Sequence, residues 1–367
     1  MIPSPAVTCY GVYISCPITA QVMNVLESLG WRNFFASQLE PDTTLAPVRV
    51  VAVHRGRVEV LGDQVEASVP LSGNSAELQI TVGDWVLLDR NGPRVMHQLD
   101  RFGVFKRAAA GTSQSVQLIA ANVDSLFIVT SANRDFNVAR LERYLAVAQD
   151  AGAFPIVVIT KADTCDSIEN FVADASRLAP GLLVEALDAR DASAVECLRP
   201  WCGPGQTVAL LGSSGVGKST LINTLAGTHQ DTREIREDDQ RGRHTTTARS
   251  MHHLPQGGWL IDTPGMRELQ LVDIGDALDD VFGDIVGLVS HCRFSDCAHE
   301  GEPGCAVQAA IDDGKLDPAR LTRFRKLLAE DRRNTESIAE RRARDRSLGQ
   351  MYKSILSGKR QLKGSKK

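Results

Sequence analysis

The fold of this chain is decided by the stretch "LLGSSGVGKSTLIN", residues 210–223. Within it, residues 212–219 match G-x-x-x-x-G-K-[ST] at every fixed position. An apolar run, TVALL, leads into the motif, and the residues after it have helical spacing. Glycines in such a loop let backbone N–H groups turn towards phosphates at a helix N-terminus. The context therefore favours a phosphate-binding loop over a chance glycine-rich turn.

Side chains of this loop carry the predicted phosphate chemistry. Lys218 is expected to bridge the β- and γ-phosphates, and Ser219 is expected to place its hydroxyl on Mg²⁺. The residues predicted to contact the nucleotide here are Gly212, Ser213, Ser214, Gly215, Val216, Gly217, Lys218, Ser219 and Thr220.

Two motifs follow the phosphate loop in the order expected of a nucleoside triphosphatase. Asp262 ends the apolar run WLID and can hold the magnesium shell, and Gly265 can offer its N–H to the γ-phosphate. The intervening segment GRHTTTARS offers Thr245, Thr246 and Thr247 as a switch residue that senses Mg²⁺ and γ-phosphate. Spacing does not choose among the three, and a plain turn and a solvated polar loop are the alternatives.

The stretch "VVITKADTCD", residues 157–166, lies upstream and is typical of a guanine-reading loop. Asp163 would accept hydrogen bonds from guanine N1–H and the 2-amino group, a donor pair that adenine lacks, while the stem of Lys161 would cover the base. Thr160 stands where the familiar motif has Asn, and a Thr cannot make both contacts of an amide. Asp188 matches only by position a Ser that GTPases carry near the guanine carbonyl. The departure at Thr160 leaves a P-loop ATPase as an alternative.

The order of these motifs is inverted relative to the usual GTPase, since the base reader precedes the phosphate loop. Such a circular permutation is permissible because domain termini often lie close together. The ligand loops still gather at the carboxyl ends of the strands. Strand and helix alternation over residues 116–282 predicts an α/β P-loop GTPase domain with a mostly parallel sheet. The permutation ties the segment after Asp262 to the C-terminal region, which we interpret as a way to report nucleotide state to a partner.

A cysteine cluster follows in "HCRFSDCAHEGEPGC", residues 291–305. Cys292, Cys297, His299 and Cys305 supply three thiolates and one imidazole, a four-ligand set suited to one structural zinc ion. A closed set of this kind leaves no open position for catalysis. His291 is a fifth candidate, but its adjacency to Cys292 makes simultaneous ligation awkward. The alternative is a coincidence of reduced cysteines.

The N-terminal third has a different pattern. Residues 48–100 alternate short apolar runs with turn residues, which predicts about five strands in a small β-barrel such as an OB-fold. The predicted organisation is an N-terminal extension (1–44), the OB-fold-like barrel (45–108), the circularly permuted GTPase domain (116–282) and a helical zinc-binding and basic domain (283–367).

Composition and charge are those of a soluble protein with a basic end. The 367 residues are 43% hydrophobic and carry a net charge of −4. Residues 331–367 hold 12 Lys/Arg against 4 Asp/Glu, a net +8, which indicates an anionic partner such as nucleic acid. A helical apolar stripe precedes this tail at Leu321, Phe324, Leu327 and Leu328. No apolar run approaches the roughly 20 residues of a membrane span, so we expect a cytoplasmic protein.

The ordered set of motifs resembles the RsgA (YjeQ) family of circularly permuted bacterial GTPases, which act in maturation of the small ribosomal subunit. The resemblance covers about residues 30–356. It implies an OB-fold and a zinc domain that contact ribosomal RNA, binding of GTP and GDP with Mg²⁺, slow hydrolysis alone and stimulation by the small subunit. A monomer is expected. A zinc-stapled RNA-binding protein with a non-hydrolysing nucleotide site is the rival outside the enzymes.

The resemblance also implies roles for two side chains of the switch segment. It supports Thr246 as the switch threonine and magnesium ligand. Met266 stands where many GTPases place a water-orienting Gln, and a thioether cannot orient or deprotonate water. The resemblance offers His244 as the catalytic residue that orients the attacking water. The alternative for His244 is a loop side chain with no catalytic part.

Overall fold

The computed structural model describes residues 24–40, 43–71, 78–89, 92, 94–108, 116–227, 249–262 and 273–335. The strands, numbered in chain order, are β1 Ala46–His54, β2 Arg57–Gly62, β3 Val65–Pro70, β4 Trp85–Asp89, β5 Arg94–Gln98, β6 Val104–Ala108, β7 Val116–Ala121, β8 Ser125–Ser131, β9 Phe154–Thr160, β10 Leu183–Ala186, β11 Thr207–Leu211, β12 Arg249–His253 and β13 Trp259–Asp262. The helices are α1 Val25–Ser28, α2 Asn33–Ala36, α3 Val138–Asp150, α4 Ile168–Ser176, α5 Ala192–Val195, α6 Lys218–Leu225, α7 Gly275–Val281, α8 Gly283–Val289, α9 Ala306–Asp312 and α10, residues 318–335.

The central sheet has the strand order β10-β9-β8-β11-β13-β12. All neighbours in it are parallel except β12, which runs antiparallel to β13. Strand β11, which leads into the phosphate loop, lies between β8 and β13. Strand β9, which leads into the base-reading loop, lies on the other side of β8. The carboxyl ends of parallel strands meet at one edge of a sheet, so this order brings the two loops together despite their inverted sequence order.

Both faces of this sheet are buried, which explains the nearly continuous apolar runs in its strands. In β8, Leu126 and Ile128 join the core beneath α3, while Phe127 and Val129 join the core on the opposite face beneath α6. The alternation follows from the two-residue period of a strand. Helix α3 begins after Asn137, whose side chain accepts a hydrogen bond from the backbone N–H of Arg140.

The N-terminal strands form an antiparallel set in the order β3-β2-β1-β4-β5, and β3 and β5 approach each other. They enclose a separate apolar cluster of Val48, Val50, Val58, Val60, Val69, Val86, Leu88 and Val95. Strand β1 also pairs with β12, with Ala52 opposite Ser250, so the set is hydrogen-bonded into the central sheet. No β3–β5 pair occurs among the described residues, and closure into an OB-fold stays a prediction.

Two further parts complete the described chain. Strands β6 and β7 pair as a separate two-stranded sheet. Helices α7 to α10 follow the central sheet and pack on the face that α3 covers. The predicted apolar stripe of α10 is confirmed at Leu321, Phe324 and Leu327, which are buried, while Leu328 is half-buried. None of the helices in the described ranges is long and apolar enough to span a bilayer.

A buried carboxylate holds α10 to helix α3 of the central α/β core. Glu142 of α3 is fully buried and receives hydrogen bonds from Arg320 at 3.0 Å and from Arg323 at 2.6 Å. One residue further along α3, Arg143 contacts Glu330 at 2.7 Å. Because a buried charge must be paired, these contacts fix the position of α10 on α3.

Candidate nucleotide site and candidate metal centre

The phosphate loop follows β11 and ends where α6 begins at Lys218. Gly217 has φ +93°, a left-handed conformation that favours glycine. A Cβ on Gly212 would overlap the backbone carbonyl oxygen of Val129 in β8. The Lys218 ammonium donates to the carbonyl oxygen of Gly212 at 2.8 Å and to that of Ser213. The phosphate loop is thus a tight turn, and the ammonium group of Lys218 lies over it.

The base-reading loop begins at Thr160, the last residue of β9. Its side chain is buried, and its hydroxyl oxygen lies 2.6 Å from the Val216 carbonyl oxygen and 3.0 Å from that of Thr130. A hydroxyl has a single proton to donate, so this one is committed to backbone carbonyls. The residue in which the sequence differs from the guanine-reading motif therefore joins β9 to the phosphate loop.

Lys161 makes a second link between the two loops. It has φ +59°, and its ammonium donates to the Gly215 carbonyl oxygen at 3.0 Å. The expected convergence of the base-reading and phosphate loops is thus observed, because both Thr160 and Lys161 reach the phosphate loop. The circularly permuted arrangement brings together residues that the chain visits in inverted order.

The carboxylate predicted to read guanine is paired with an arginine. Asp163 lies in a short 3₁₀ helix, Ala162–Thr164, and its side chain is one-third exposed. Arg190 donates from Nη2 to Asp163 Oδ2 at 2.8 Å and also binds Asp188. Side-chain and backbone hydrogen bonds from Arg190 lower the pKa of Asp188. The two carboxylates and the arginine form one charged group at the base end of the site.

Sequence patterns alone do not identify two arginines that lie at this site. Arg190 stands in the segment ALDAR, two residues after Asp188, so the only local signal for it is that proximity. Arg140 of α3 donates from Nη1 to the Ser213 hydroxyl of the phosphate loop. No local pattern marks Arg140, because the contact joins a helix residue to a loop far along the chain.

The remaining predicted nucleotide residues divide into two groups. Ser219 and Thr220 lie in the first turn of α6, and Asp262 is the last residue of β13. Strand β13 pairs with β11 in parallel, with Ala209 opposite Ile261, so Asp262 lies at the same sheet edge as the phosphate loop. The other predicted residues, His244, Thr246 and Gly265, lie outside the described residues, as do Thr245, Thr247 and Met266.

The four predicted metal ligands meet in one cluster. The ligand atoms of Cys292, Cys297, His299 and Cys305 all lie within 4.8 Å of one another. His299 Nδ1 is 3.6 Å from Cys292 Sγ and 3.5 Å from Cys305 Sγ, and these two sulfurs are 4.0 Å apart. Tetrahedral zinc would set N···S and S···S separations of about 3.6 and 3.8 Å. The residues present therefore fit a tetrahedral Cys₃His zinc site.

The surroundings of the cluster lower the pKa of the Cys292 thiol, whereas burial raises the pKa of the Cys297 thiol to about 11. Burial, the largest influence, raises the pKa of Cys292, but backbone N–H groups of Ala306 and Val307 at the start of α9 lower it, and the net pKa lies below the ordinary value. His291 stays outside the cluster, because its Nδ1 lies 2.8 Å from the Gly287 carbonyl oxygen. His291, the fifth candidate ligand, is thus hydrogen-bonded outside the cluster.

Two family models match the chain. A model described as RsgA GTPase matches residues 98–272, which contain the base-reading loop, the phosphate loop and Asp262 in this order. A model described as ABC transporter matches residues 200–353, and each of the two models covers less than half of the chain. That match starts just before β11, and a strand followed by a phosphate loop is common to P-loop proteins in general.

Curated relatives and solved structures agree with the first model. The chain is 46% identical over 349 residues to "Small ribosomal subunit biogenesis GTPase RsgA 2" of Vibrio parahaemolyticus, covering 94% of this chain and 96% of the relative. It is 50% identical over 315 residues to "Small ribosomal subunit biogenesis GTPase RsgA" of Mesorhizobium japonicum, covering 84% and 91%. The structure of YjeQ from Thermotoga maritima matches with a TM-score of 0.60 at 24% identity, over 78% of this chain and 98% of that one.

Proposed function

This chain belongs to the RsgA family of circularly permuted GTPases and is a GTPase, and from that premise we propose that it couples GTP hydrolysis to late maturation of the small ribosomal subunit. The proposed substrate is GTP with Mg²⁺, and the products are GDP and phosphate. The proposed place of action is the cytoplasm, with the protein acting as a monomer. The names of the relatives support the part of this proposal that concerns biogenesis of the small ribosomal subunit.

The observation that carries the nucleotide site is the pair of contacts between its two loops. Thr160 reaches the Val216 carbonyl and Lys161 reaches the Gly215 carbonyl, so one guanosine phosphate can touch both loops. In the proposed complex, Asp163 accepts the N1–H and 2-amino protons of guanine. Backbone N–H groups of residues 212–217 and the ammonium of Lys218 hold the phosphates. In the structure this ammonium donates hydrogen bonds to carbonyl oxygens of the loop. In the proposed complex it donates to phosphate oxygens instead.

The proposed magnesium ligands come from three segments. Ser219 offers a hydroxyl at the start of α6, Asp262 offers a carboxylate at the end of β13, and Thr246 is the proposed switch ligand. Oxygen donors of this kind suit Mg²⁺, which also keeps bound water and phosphate oxygens. The proposed switch would close when the γ-phosphate is present, and Gly265 would offer its N–H to the same phosphate.

Hydrolysis in this proposal depends on positioning and on charge. Met266 cannot orient water, so His244 is proposed to orient the attacking water. Replacing His244 by Ala is expected to lower stimulated GTP turnover by about 10²-fold, the usual scale for one acid–base group. GTP affinity should stay within twofold. Equal turnover in the variant and the parent would remove His244 from the mechanism.

The Cys₃His cluster is proposed to bind one structural zinc ion that stabilises the C-terminal module. Thiolate and imidazole donors at these separations suit zinc, and a closed set of four protein ligands has no open position for catalysis. Replacing Cys297 by Ser is expected to reduce binding to small ribosomal subunits while leaving GDP affinity unchanged. The matched control is Cys197→Ser, because the Cys197 thiol lies outside the cluster and donates to the Ala194 carbonyl. Zinc content measured by atomic absorption should fall in the first variant only.

A basic surface beside the cluster is the proposed contact with ribosomal RNA. Lys326, Arg332 and Arg333 are exposed on α10, next to the groove between that helix and the cluster. Arg293 stacks on Phe294, which is 45% exposed, with 5.5 Å from the guanidinium carbon to the ring centroid. Cations and an exposed aromatic ring together suit RNA phosphates and unpaired bases. In the sequence, residues 331–367, which include Arg332 and Arg333, carry a net charge of +8, as suits a segment that binds RNA phosphates.

Helix α3 is the proposed route by which docking stimulates hydrolysis. Its Arg140 contacts Ser213 of the phosphate loop, while its Glu142 holds Arg320 and Arg323 of α10. A shift of α10 on the ribosome would therefore act on α3 and on the phosphate loop. Replacing Glu142 by Gln should reduce stimulation while basal turnover is kept, which a titration with small subunits measures. Full stimulation in this variant would exclude the route.

The decisive experiment for the proposed function is GTP turnover titrated with purified small subunits. We expect stimulation of at least tenfold that is lost in Lys218→Ala, because charge stabilisation at a transferring phosphoryl group contributes about 10²-fold or more. Large subunits serve as the control partner. Equal turnover with and without small subunits would favour a binding protein, and a preference for ATP would favour the ATPase alternative.

A further inference from the structure

The base end of the site contains two carboxylates that share one guanidinium. Arg190 Nη2 lies 2.8 Å from Asp163 Oδ2 and 3.0 Å from Asp188 Oδ2, and its Nε lies 3.0 Å from Asp188 Oδ1. The backbone N–H of Arg190 also donates to Asp188 Oδ1 at 3.0 Å. Asp188 thus holds Arg190 through several hydrogen bonds, and Arg190 donates one further hydrogen bond to Asp163. Two ionised carboxylates in these positions would repel each other without the guanidinium.

The contact with Asp163 leaves room for a base. Arg190 uses one oxygen of Asp163, and an ionised carboxylate offers about four lone-pair positions. Guanine needs two of these, for its N1–H and its 2-amino group. A guanine can therefore bind Asp163 while Arg190 stays in place.

We propose that Arg190 is a positioning residue that determines guanine specificity, because it fixes the orientation of the Asp163 carboxylate and cancels repulsion from Asp188. The inference rests on the proposed function, in which Asp163 reads guanine. Lowering of the Asp188 pKa by hydrogen bonds from Arg190 is consistent with it. Two other charged groups flank the pair among the described residues. Asp191 is bound by Ser193, and the ammonium of Lys161 is bound to the Gly215 carbonyl.

The first test is the affinity of Arg190→Ala for GDP and ADP, measured by calorimetry. GDP binding should weaken about tenfold, the scale of coupling between groups in one charged network. ADP affinity should not change, because adenine has no donor pair for Asp163. Arg177→Ala is the matched control, since Arg177 is an exposed arginine of the same domain that pairs with Asp174. It should bind GDP like the parent, and both variants should melt at the same temperature.

The second test is rescue. Asp188→Ser combined with Arg190→Ala removes the repelling carboxylate together with the arginine. GDP affinity should then return to within about threefold of the parent. Failure of this rescue would overturn the claim that the arginine works by cancelling repulsion from Asp188.

The outcomes separate this inference from the proposed function. Tighter or unchanged GDP binding by Arg190→Ala would overturn the inference, since tighter binding would mean that Arg190 competes with guanine. Asp163→Asn tests the base reader itself. If Asp163→Asn keeps the preference for GDP over ADP, the proposed base reader fails. If it loses the preference while Arg190→Ala is neutral, only the inference fails.

Discussion

The phosphate loop and the base-reading loop lie side by side but are built by different means. The phosphate loop is formed by backbone groups in close contact, with Gly212 against β8 and Gly217 against Thr160. The base-reading end is formed by charged side chains near the surface, with Asp163 one-third exposed and Arg190 69% exposed. The phosphate loop is therefore held by steric fit, and the base-reading end is held by a balance of charges.

In the proposed site, this difference separates nucleotide affinity from base selectivity. Steric defects at the phosphate loop should destabilise the fold and weaken the binding of every nucleotide, because the proposed ligand of this loop is the phosphate group that all nucleotides share. Changes at the charged end should alter the choice of base while the fold is kept, because exposed charges contribute little to stability.

The largest effect is expected from Gly212→Ala. The added methyl group would overlap the Val129 carbonyl oxygen, so β8 or the loop must move. We expect a loss of about 3 kcal/mol in the free energy of unfolding, at the upper end for overpacking. Gly215→Ala is the control, because no atom lies near its added Cβ and its φ of +83° costs only about 1 kcal/mol. Urea unfolding measures both, and equal losses would contradict the steric account.

A smaller but purely functional effect is expected from Lys218→Ala. Stability should be kept, while GTP turnover should fall by about 10²-fold, as when one charge-stabilising donor is removed. The ratio of GDP to ADP affinity should stay constant, because the base end is untouched. A change in that ratio would show that the two ends are not separable.

The smallest effect is expected from Thr160→Val. The change leaves the Val216 carbonyl without its hydroxyl partner, and one lost hydrogen bond of this kind costs about 1 kcal/mol. Thr160→Ser should restore most of the stability because it keeps the hydroxyl. Both variants should retain the preference for guanine if Thr160 joins loops and does not contact the base. A loss of guanine preference in Thr160→Val would indicate that Thr160 contacts the base directly.

Sequence patterns predict local geometry best where the residues involved are neighbours in the chain. The phosphate loop occupies eight consecutive positions, and the cluster of Cys292, Cys297, His299 and Cys305 lies within one short segment. The spacing of these residues along the chain therefore predicts the geometry of the two segments. The apolar stripe of α10 was predictable for the same reason, because burial follows the helical period.

Contacts between distant segments were not predictable. Pairing of β1 with β12 joins strands from opposite parts of the chain, and alternation of apolar residues specifies a face but not a partner strand. The bridge from Asp163 through Arg190 to Asp188 depends on how two loops meet after folding. The role of Thr160 was missed because its acceptors are backbone carbonyls, which no side-chain pattern reveals.

The central claim is that Asp163 and the phosphate loop serve one guanine nucleotide, and Asp163→Asn tests it most directly. An Asn amide can accept from N1–H and donate to the 2-keto oxygen of xanthine, but it cannot accept both donors of guanine. Calorimetry with GDP and XDP should show a loss of GDP affinity of about tenfold or more, the scale of one bidentate base contact. XDP affinity should rise in the same variant. Unchanged binding of both nucleotides would contradict the account.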